Sequence, residues 1–320
     1  MRLLLHFTLA VLSAACGASS FASTVTTRSF HSPALGRDWS YTVYLPTGYR
    51  PDAARIPVLY LLHGNNGDAN DWISHGHLQS TVDALIEHRD IPPLAVVMPQ
   101  GGTDWYVDRK EKMETAFFDD LLPEIETHYA VSTQRAGRMI GGVSMGGFGA
   151  LRYVMTQPER FCGALLLSPA IYVNEPPRGS AARRVGVFGE RQFDPRIWHE
   201  LNYPAQWERY MSRPYRVPIF IAAGDDDLAI QADASLLYTH LRMAGSGGAT
   251  HYRRRPYVGC LERAAAGRAE IHARLREAAG AGTSVESAAL SGARALHCAH
   301  AAIGRGRSTA PSRPSSVRGR

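Results

Sequence analysis

Between Ser23 and Met243 the apolar residues recur with alternating periods, and each change of period marks a change of element. Thr24 to Phe30 and Ser40 to Leu45 read as an opening antiparallel pair, ended by Pro46-Thr47-Gly48. Pro57 to Leu62 is a continuous apolar run, as expected of a strand buried on both faces, and Leu94 to Met98 is another. Between them, Leu78, Val82 and Ile86 mark one face of a helix. Met113, Phe117, Leu121 and Ile125 recur at every fourth position and predict a strongly amphipathic helix. Arg138 to Val143, Ala164 to Leu167 and Val217 to Ala222 are further buried strands. The last is followed by a helix with Ile230, Ala234, Leu237 and Leu241 on one side. Such alternation predicts an α/β architecture, a mostly parallel sheet with helices on both faces. No internal repeat interrupts it, and residues 23–245 read as one domain with a substantial core.

The two ends of the chain depart from this pattern. Met1-Arg2 carries positive charge, Leu3 to Ala15 supply a short apolar stretch, and Ser20-Phe21-Ala22 offers a cleavage site. Together these read as a secretory signal peptide over residues 1–22, too short for a membrane span, so a secreted or periplasmic location is expected. At the other end, Ala244 to Arg320 holds 13 arginines against 4 acidic residues, while the rest of the chain has 22 basic and 25 acidic residues. The net charge of +6 therefore belongs to the tail and implies no nucleic-acid partner. From Val258 onward there is no Phe, Trp or Tyr, and the Arg, Ala, Gly and Ser that dominate there cannot bury a core. Residues 246–320 are expected to form a disordered tail. Cys16 leaves with the signal, and Cys162, Cys260 and Cys298 are too few and too scattered for a disulfide framework.

The candidate chemistry lies in three stretches. Gly142-Val143-Ser144-Met145-Gly146 fits G-x-S-x-G between a strand-like and a helix-like run, the pattern of a nucleophile elbow. A strand that turns sharply into a helix forces strained angles on the serine and holds its Oγ out at the tip. The Met145 amide, at the positive end of the new helix, can then face a developing oxyanion. His63-Gly64-Asn65-Asn66-Gly67 follows a buried strand, where a second oxyanion donor belongs, and the backbone N–H of Asn65 is the candidate. His63 precedes the elbow and sits in the strand-end turn, so it reads as a residue that shapes the loop rather than as the proton acceptor. Gly224-Asp225-Asp226-Asp227-Leu228 follows a strand at the place of an acid that orients a catalytic imidazole. Three adjacent aspartates also suit a solvated, helix-capping turn. Asp227 is the candidate acid.

Leu59-Tyr60-Leu61-Leu62-His63-Gly64, the Val97-Met98-Pro99 strand end and Gly142 to Leu151 resemble the esterase D group of α/β-hydrolases. That group includes S-formylglutathione hydrolases, feruloyl and acetyl-xylan esterases, and mycolyltransferases of the antigen 85 type. The resemblance runs from about Val25 to Met243. It implies a carboxylic-ester hydrolase with Ser144 as nucleophile, Asn65 and Met145 as oxyanion donors, and Asp227 as acid. It implies a small ester as substrate, such as an acylated sugar or a phenolic ester, and neither a metal nor an organic cofactor. It also implies a histidine after the next strand, in a run close to Gly-His-x-Trp-x-x-Trp.

That run is absent. His251 lies near the expected place but among arginines, and His272 lies in an Ala/Arg/Glu stretch that suits a solvated face. His297-Cys298-Ala299-His300 resembles a metal cluster only superficially. A change of reading frame accounts for the loss. Reverse translation of Arg255 to Glu262, read from the second base of each codon, gives GNC-CNT-AYG-TNG-GNT-GYC-TNG. These codons can spell Gly-His-Thr-Trp-Asp-Val-Trp, the missing run in its expected place. A frameshift near Gly245 to Ala249 is expected, replacing the last strand, the histidine and the closing helix. The chain thus reads as an exported serine ester hydrolase acting through an acyl-serine, without its histidine as written. Acyl transfer to a sugar and a non-catalytic hydrolase-fold binding protein are the alternatives. Tyr172 to Met211, with Trp198 and Trp207, is the segment expected to carry substrate identity, its aromatics either lining an acyl pocket or packing on the core.

Overall fold

The computed structural model describes residues 22–224, 227–245 and 250–253. Among these, eight strands form one sheet: β1 (Thr24–Ser32), β2 (Arg37–Leu45), β3 (Val58–Leu62), β4 (Ala95–Pro99), β5 (Arg138–Val143), β6 (Gly163–Leu167), β7 (Ile219–Ala223) and β8 (Thr250–Arg253). Their order across the sheet is β1-β2-β4-β3-β5-β6-β7-β8. β1 and β2 form an antiparallel hairpin and β2 pairs antiparallel with β4, whereas β4 to β8 are joined by parallel pairings throughout. The five residues of β3 and of β4 are all buried, which explains their unbroken apolar runs. β1, at the sheet edge, is mostly exposed and carries Thr, Arg and Ser.

Each parallel connection lays helices on a face of the sheet. On one face α1 (Asp71–Ser74) and α2 (Leu78–Glu87) cover Leu59, Leu61, Val96 and Met98. On the other, α5 (Met145–Thr156) and α8 (Leu228–Met243) cover Tyr60, Ile140, Leu166 and Ile221. α8 buries Ile230, Ala234, Leu237 and Leu241, the face expected from the sequence. The amphipathic stretch from Met113 is one rod with a wider middle: α3 (Met113–Thr115), a π-helical segment (Ala116–Leu121) and α4 (Leu122–His128). A strict four-residue repeat overruns the 3.6-residue α turn, and i→i+5 turns absorb the excess. Met113, Phe117, Leu121 and Ile125 all stay buried as a result. Between β6 and β7 lie α6 (Pro195–Leu201) and α7 (Tyr203–Ser212), two helices of a cap segment that the sequence left without elements.

The expected loss of the last strand needs correction. β8 continues the sheet beside β7, from the pair Phe220–Thr250 to the pair Ala223–Arg253. Thr and Tyr suit a strand, and the ladder is made of backbone groups, so arginines nearby do not prevent it. The expected closing-helix region and the rest of the tail, 254–320, lie outside the described residues, as does the expected signal peptide up to residue 21. Among the described residues, no helix is long and apolar enough to cross a membrane.

Candidate active site

Parallel strands deliver their C-terminal ends to one edge, and all three chemical stretches emerge there. Leu62 of β3 pairs beside Gly142 of β5, Val143 beside Leu167 of β6, and Leu167 beside Ala222 of β7. Ser144 follows β5 directly, with φ 54° and ψ −113°. Such a conformation costs a non-glycine residue about 1–3 kcal/mol and persists only where neighbours over-determine it. Three hydrogen bonds do so here. The Ser144 N–H donates to Leu167 O at 3.0 Å, and its carbonyl accepts from Phe148 N and Ala170 N, each at 3.0 Å. The turn also needs bare backbone at two points. A Cβ on Gly142 would overlap the Gly146 backbone, and one on Gly146 would overlap the Leu62 carbonyl.

Met145 is buried and opens α5, so its N–H lacks an intrahelical acceptor and lies at the positive end of the helix. The loop after β3 touches the elbow: a Cβ on Gly64 would lie 3.8 Å from Ser144 Cβ and 3.7 Å from Val143 O. Asn65 comes next in that loop, and its side-chain Oδ1 is buried with no hydrogen-bond partner among the described residues. His63 has both ring nitrogens engaged. Nδ1–H donates to Gly64 O at 2.7 Å, and Nε2 accepts from the Gly101 N–H at 2.8 Å. Burial also pushes its pKa below the usual value. A histidine held this way shapes the loop and has no free nitrogen for the Ser144 proton. Tyr106 supports it from behind, donating to His63 O at 3.2 Å while its side chain fills the space a Cβ on Gly149 would need. No local pattern announces Tyr106, because its role depends on two distant segments.

Asp227 follows β7 and caps α8, its Oδ1 accepting from the Ile230 N–H at 3.1 Å. Burial first, and the Asp227 charge second, push the Tyr172 phenol up to about 12, so Tyr172 stands near that carboxylate. Asp225 and Asp226 lie outside the described residues. His251 belongs to β8, of which only the backbone is described, and His272, His297, Cys298 and His300 lie outside. No cluster of three metal-ligating side chains occurs among the described residues. Trp198 packs in the core: it is fully buried, donates from Nε1 to Tyr172 O at 3.0 Å, and stacks on Phe148 of α5 at 5.5 Å. Trp207 is half-buried, 5.7 Å from the His240 ring.

A serine on a strained strand–helix turn, at the C-terminal edge of a mostly parallel sheet wrapped by helices, defines an α/β-hydrolase. Residues 32–241 match the family model described as "Putative esterase", and the chain belongs to that esterase family. It is 31% identical over 157 residues to an endo-1,4-beta-xylanase/feruloyl esterase of Xylanibacter ruminicola, covering 46% of this chain and 22% of that protein. It is 26% identical over 199 residues to an acetyl esterase of Caldicellulosiruptor saccharolyticus, covering 58% of this chain and 71% of that one. The structure of a ferulic acid esterase matches with a TM-score of 0.62 at 26% identity, over 73% of this chain and 91% of the other. The chain thus spans about a fifth of the first of these relatives and most of the other two.

Proposed function

We propose that the chain is an exported serine carboxylic-ester hydrolase that works through an acyl-serine intermediate. The observation that carries this is the strained Ser144 at the elbow tip, backed by the helix N-terminus that opens at Met145. Ser144 Oγ attacks the ester carbonyl carbon, and the N–H groups of Met145 and Asn65 hold the oxyanion. Collapse of the tetrahedral species expels the alcohol, and water then releases the acid. Asp227 orients an imidazole; its Oδ1 bond to Ile230 N–H fixes the carboxylate and leaves Oδ2 for that ring. The relatives' names, acetyl and feruloyl esterase, support small esters such as acylated sugars or phenolic esters as substrates. The signal-like start of the sequence supports export.

The base is what the chain as written lacks. β8 supports a break in frame later than Gly245 to Ala249, because parallel pairing with β7 continues to Arg253. The shifted-frame Gly-His run begins at the second base of codon 255, so a break that spares β8 falls between Arg253 and Arg255. A histidine encoded there follows the strand next to β7, at the edge that carries Asp227 and Ser144. The test is to express the written chain beside a version with the frame restored, and to assay both on p-nitrophenyl acetate. The restored chain is expected to gain about 10²–10⁴-fold in kcat/KM, the worth of a positioned general base. Equal rates would overturn the frame reading and return the search to His251. No turnover in either, with ester binding intact, favours a hydrolase-fold binding protein instead. Acylated sugar as the product, in the presence of a sugar acceptor, favours acyl transfer.

A further inference from the structure

On the reading of Ser144 as nucleophile, we propose that Asn202 is a positioning residue whose side-chain amide fixes the segment bracing the elbow. Asn202 is 1% exposed, and each of its polar atoms has a partner. Oδ1 accepts from the Tyr203 N–H at 2.9 Å and so opens α7. Nδ2 donates to Tyr172 O at 2.7 Å and to Ile171 O at 3.3 Å. Its own N–H donates to Trp198 O at 2.9 Å, and Trp198 Nε1 adds a second donor to Tyr172 O at 3.0 Å.

The two carbonyls it holds lie a few residues past β6, in a short irregular stretch that touches the nucleophile. Ala170 N–H donates to Ser144 O at 3.0 Å, and Ser144 N–H donates to Leu167 O at 3.0 Å. Ser168 is itself left-handed, with φ 42°, and its N–H donates to Ala222 O of β7 at 2.6 Å. On the far side, the Val173 N–H donates to Asp233 Oδ1 of α8 at 3.3 Å. Residues 167–173 are therefore bonded to the elbow at one end and gripped by the cap helices and α8 at the other. Buried carbonyls need donors, and only an amide here supplies two N–H groups and an acceptor from one short side chain. Strain at Ser144 persists while its neighbours over-determine it, and Ala170 is one of them. Without the amide, Ile171 O loses this donor and Tyr172 O keeps only that of Trp198, which loosens Ala170 and with it the serine.

Asn202→Ser tests this, because serine still caps α7 but is too short to hold both carbonyls. Asp194→Ala is the control: Asp194 caps α6 in the same cap segment, accepting from Arg196 N at 2.8 Å, and touches neither carbonyl. Amide hydrogen exchange at Ala170 is measured in the full chain, and the rate of Ser144 labelling by a fluorophosphonate in its frame-restored version. Asn202→Ser is expected to raise exchange at Ala170 about tenfold and to slow labelling about tenfold. Asp194→Ala is expected to lower Tm yet leave both within about twofold of the parent. Asn202→Asp is the second variant, nearly isosteric, with a carboxylate facing two carbonyl oxygens at neutral pH. The brace is expected to return in part on acidification, since a protonated carboxyl donates one hydrogen bond. Parental exchange at Ala170 in both Asn202 variants, or an equal rise in Asp194→Ala, overturns the proposal. A frame-restored parent that fluorophosphonate does not label counts against Ser144 as nucleophile, while exchange at Ala170 still decides the role of Asn202.

Discussion

The edge proposed as catalytic has two halves built in different ways. At the ends of β3 and β5, the loop that carries Asn65 touches the elbow, and short runs of residues place both. At the ends of β7 and β8, Asp227 caps a helix, and the proposed base is encoded in chain that follows the last strand. The first half depends on short-range turns and on backbone packed against backbone. The second depends on segments that come late in the sequence, after β7. On the proposed reading, a late change of reading frame removes the base and leaves Ser144 in place.

The largest expected effect falls on the complete half. In the frame-restored protein, Ser144→Ala should lower kcat by about 10⁴–10⁶-fold, the loss seen when a coupled nucleophile is removed. Folding should survive, because the bonds that hold residue 144 are backbone bonds. Steady-state rates on p-nitrophenyl acetate, beside thermal melts, check both statements; activity above a few per cent of the parent removes Ser144 from its role.

Asp227 tests the other half, and its two roles can be pulled apart. Asparagine caps helices about as well as aspartate, so Asp227→Asn should keep α8 and lose only the carboxylate. A fall in kcat of about 10²–10⁴-fold is expected in the frame-restored protein, with Tm nearly unchanged. Asp227→Ala should add about 1 kcal/mol of instability through the lost cap. Deeper losses from the same change at Asp225 or Asp226 would move the acid there.

The contact that joins elbow and oxyanion loop is the next target. Gly146→Ala drives a Cβ into the Leu62 and His63 carbonyls, so the end of β3 or the start of α5 must shift. Overpacking of this kind costs about 1–3 kcal/mol. Denaturant unfolding should show it, together with a raised KM for the ester. An unchanged midpoint would mean that the two loops do not need each other.

These positions were legible in the sequence to different degrees. β3 and β4 were plain because a strand buried on both faces has no polar position to confuse the pattern. The elbow was plain because its steric needs are written as glycines at fixed offsets from a serine. α6 and α7 were not, although Asp194-Pro195 and Asn202-Tyr203-Pro204 are helix-start signals. Both helices are short, and their buried faces, Trp198 in one and Tyr203 with Tyr210 in the other, are too sparse to show a period. β8 was hidden for the opposite reason. Its composition matches the tail, but a parallel ladder is built from main-chain groups. Tyr106 and Asn202 act through contacts across 43 and 30 residues of chain, and no local pattern encodes those.

The smallest effect concerns His63, in the loop that touches the elbow. In the folded chain Nδ1–H is bonded to Gly64 O, and Nε2 is occupied by the Gly101 N–H. A second proton can enter only at Nε2, and only by breaking that bond inside a buried site. Burial holds the folded pKa below the ordinary 6.5, and the bond at Nε2 acts in the same direction. Above about pH 6.5 both folded and unfolded chains hold a neutral imidazole, and the stabilisation is complete. Below it the unfolded chain takes up a proton that the folded chain refuses, so stability falls with pH until the folded pKa is reached. One proton limits the slope to about 1.4 kcal/mol per pH unit. His63→Asn keeps a donor and an acceptor on the loop but cannot titrate. Unfolding free energies of parent and variant, measured from pH 8 to 5, should run parallel above about pH 6.5 and converge or cross below it. Parallel curves over the whole range would mean that the Gly101 bond does not hold His63 neutral, and that the oxyanion loop is anchored elsewhere.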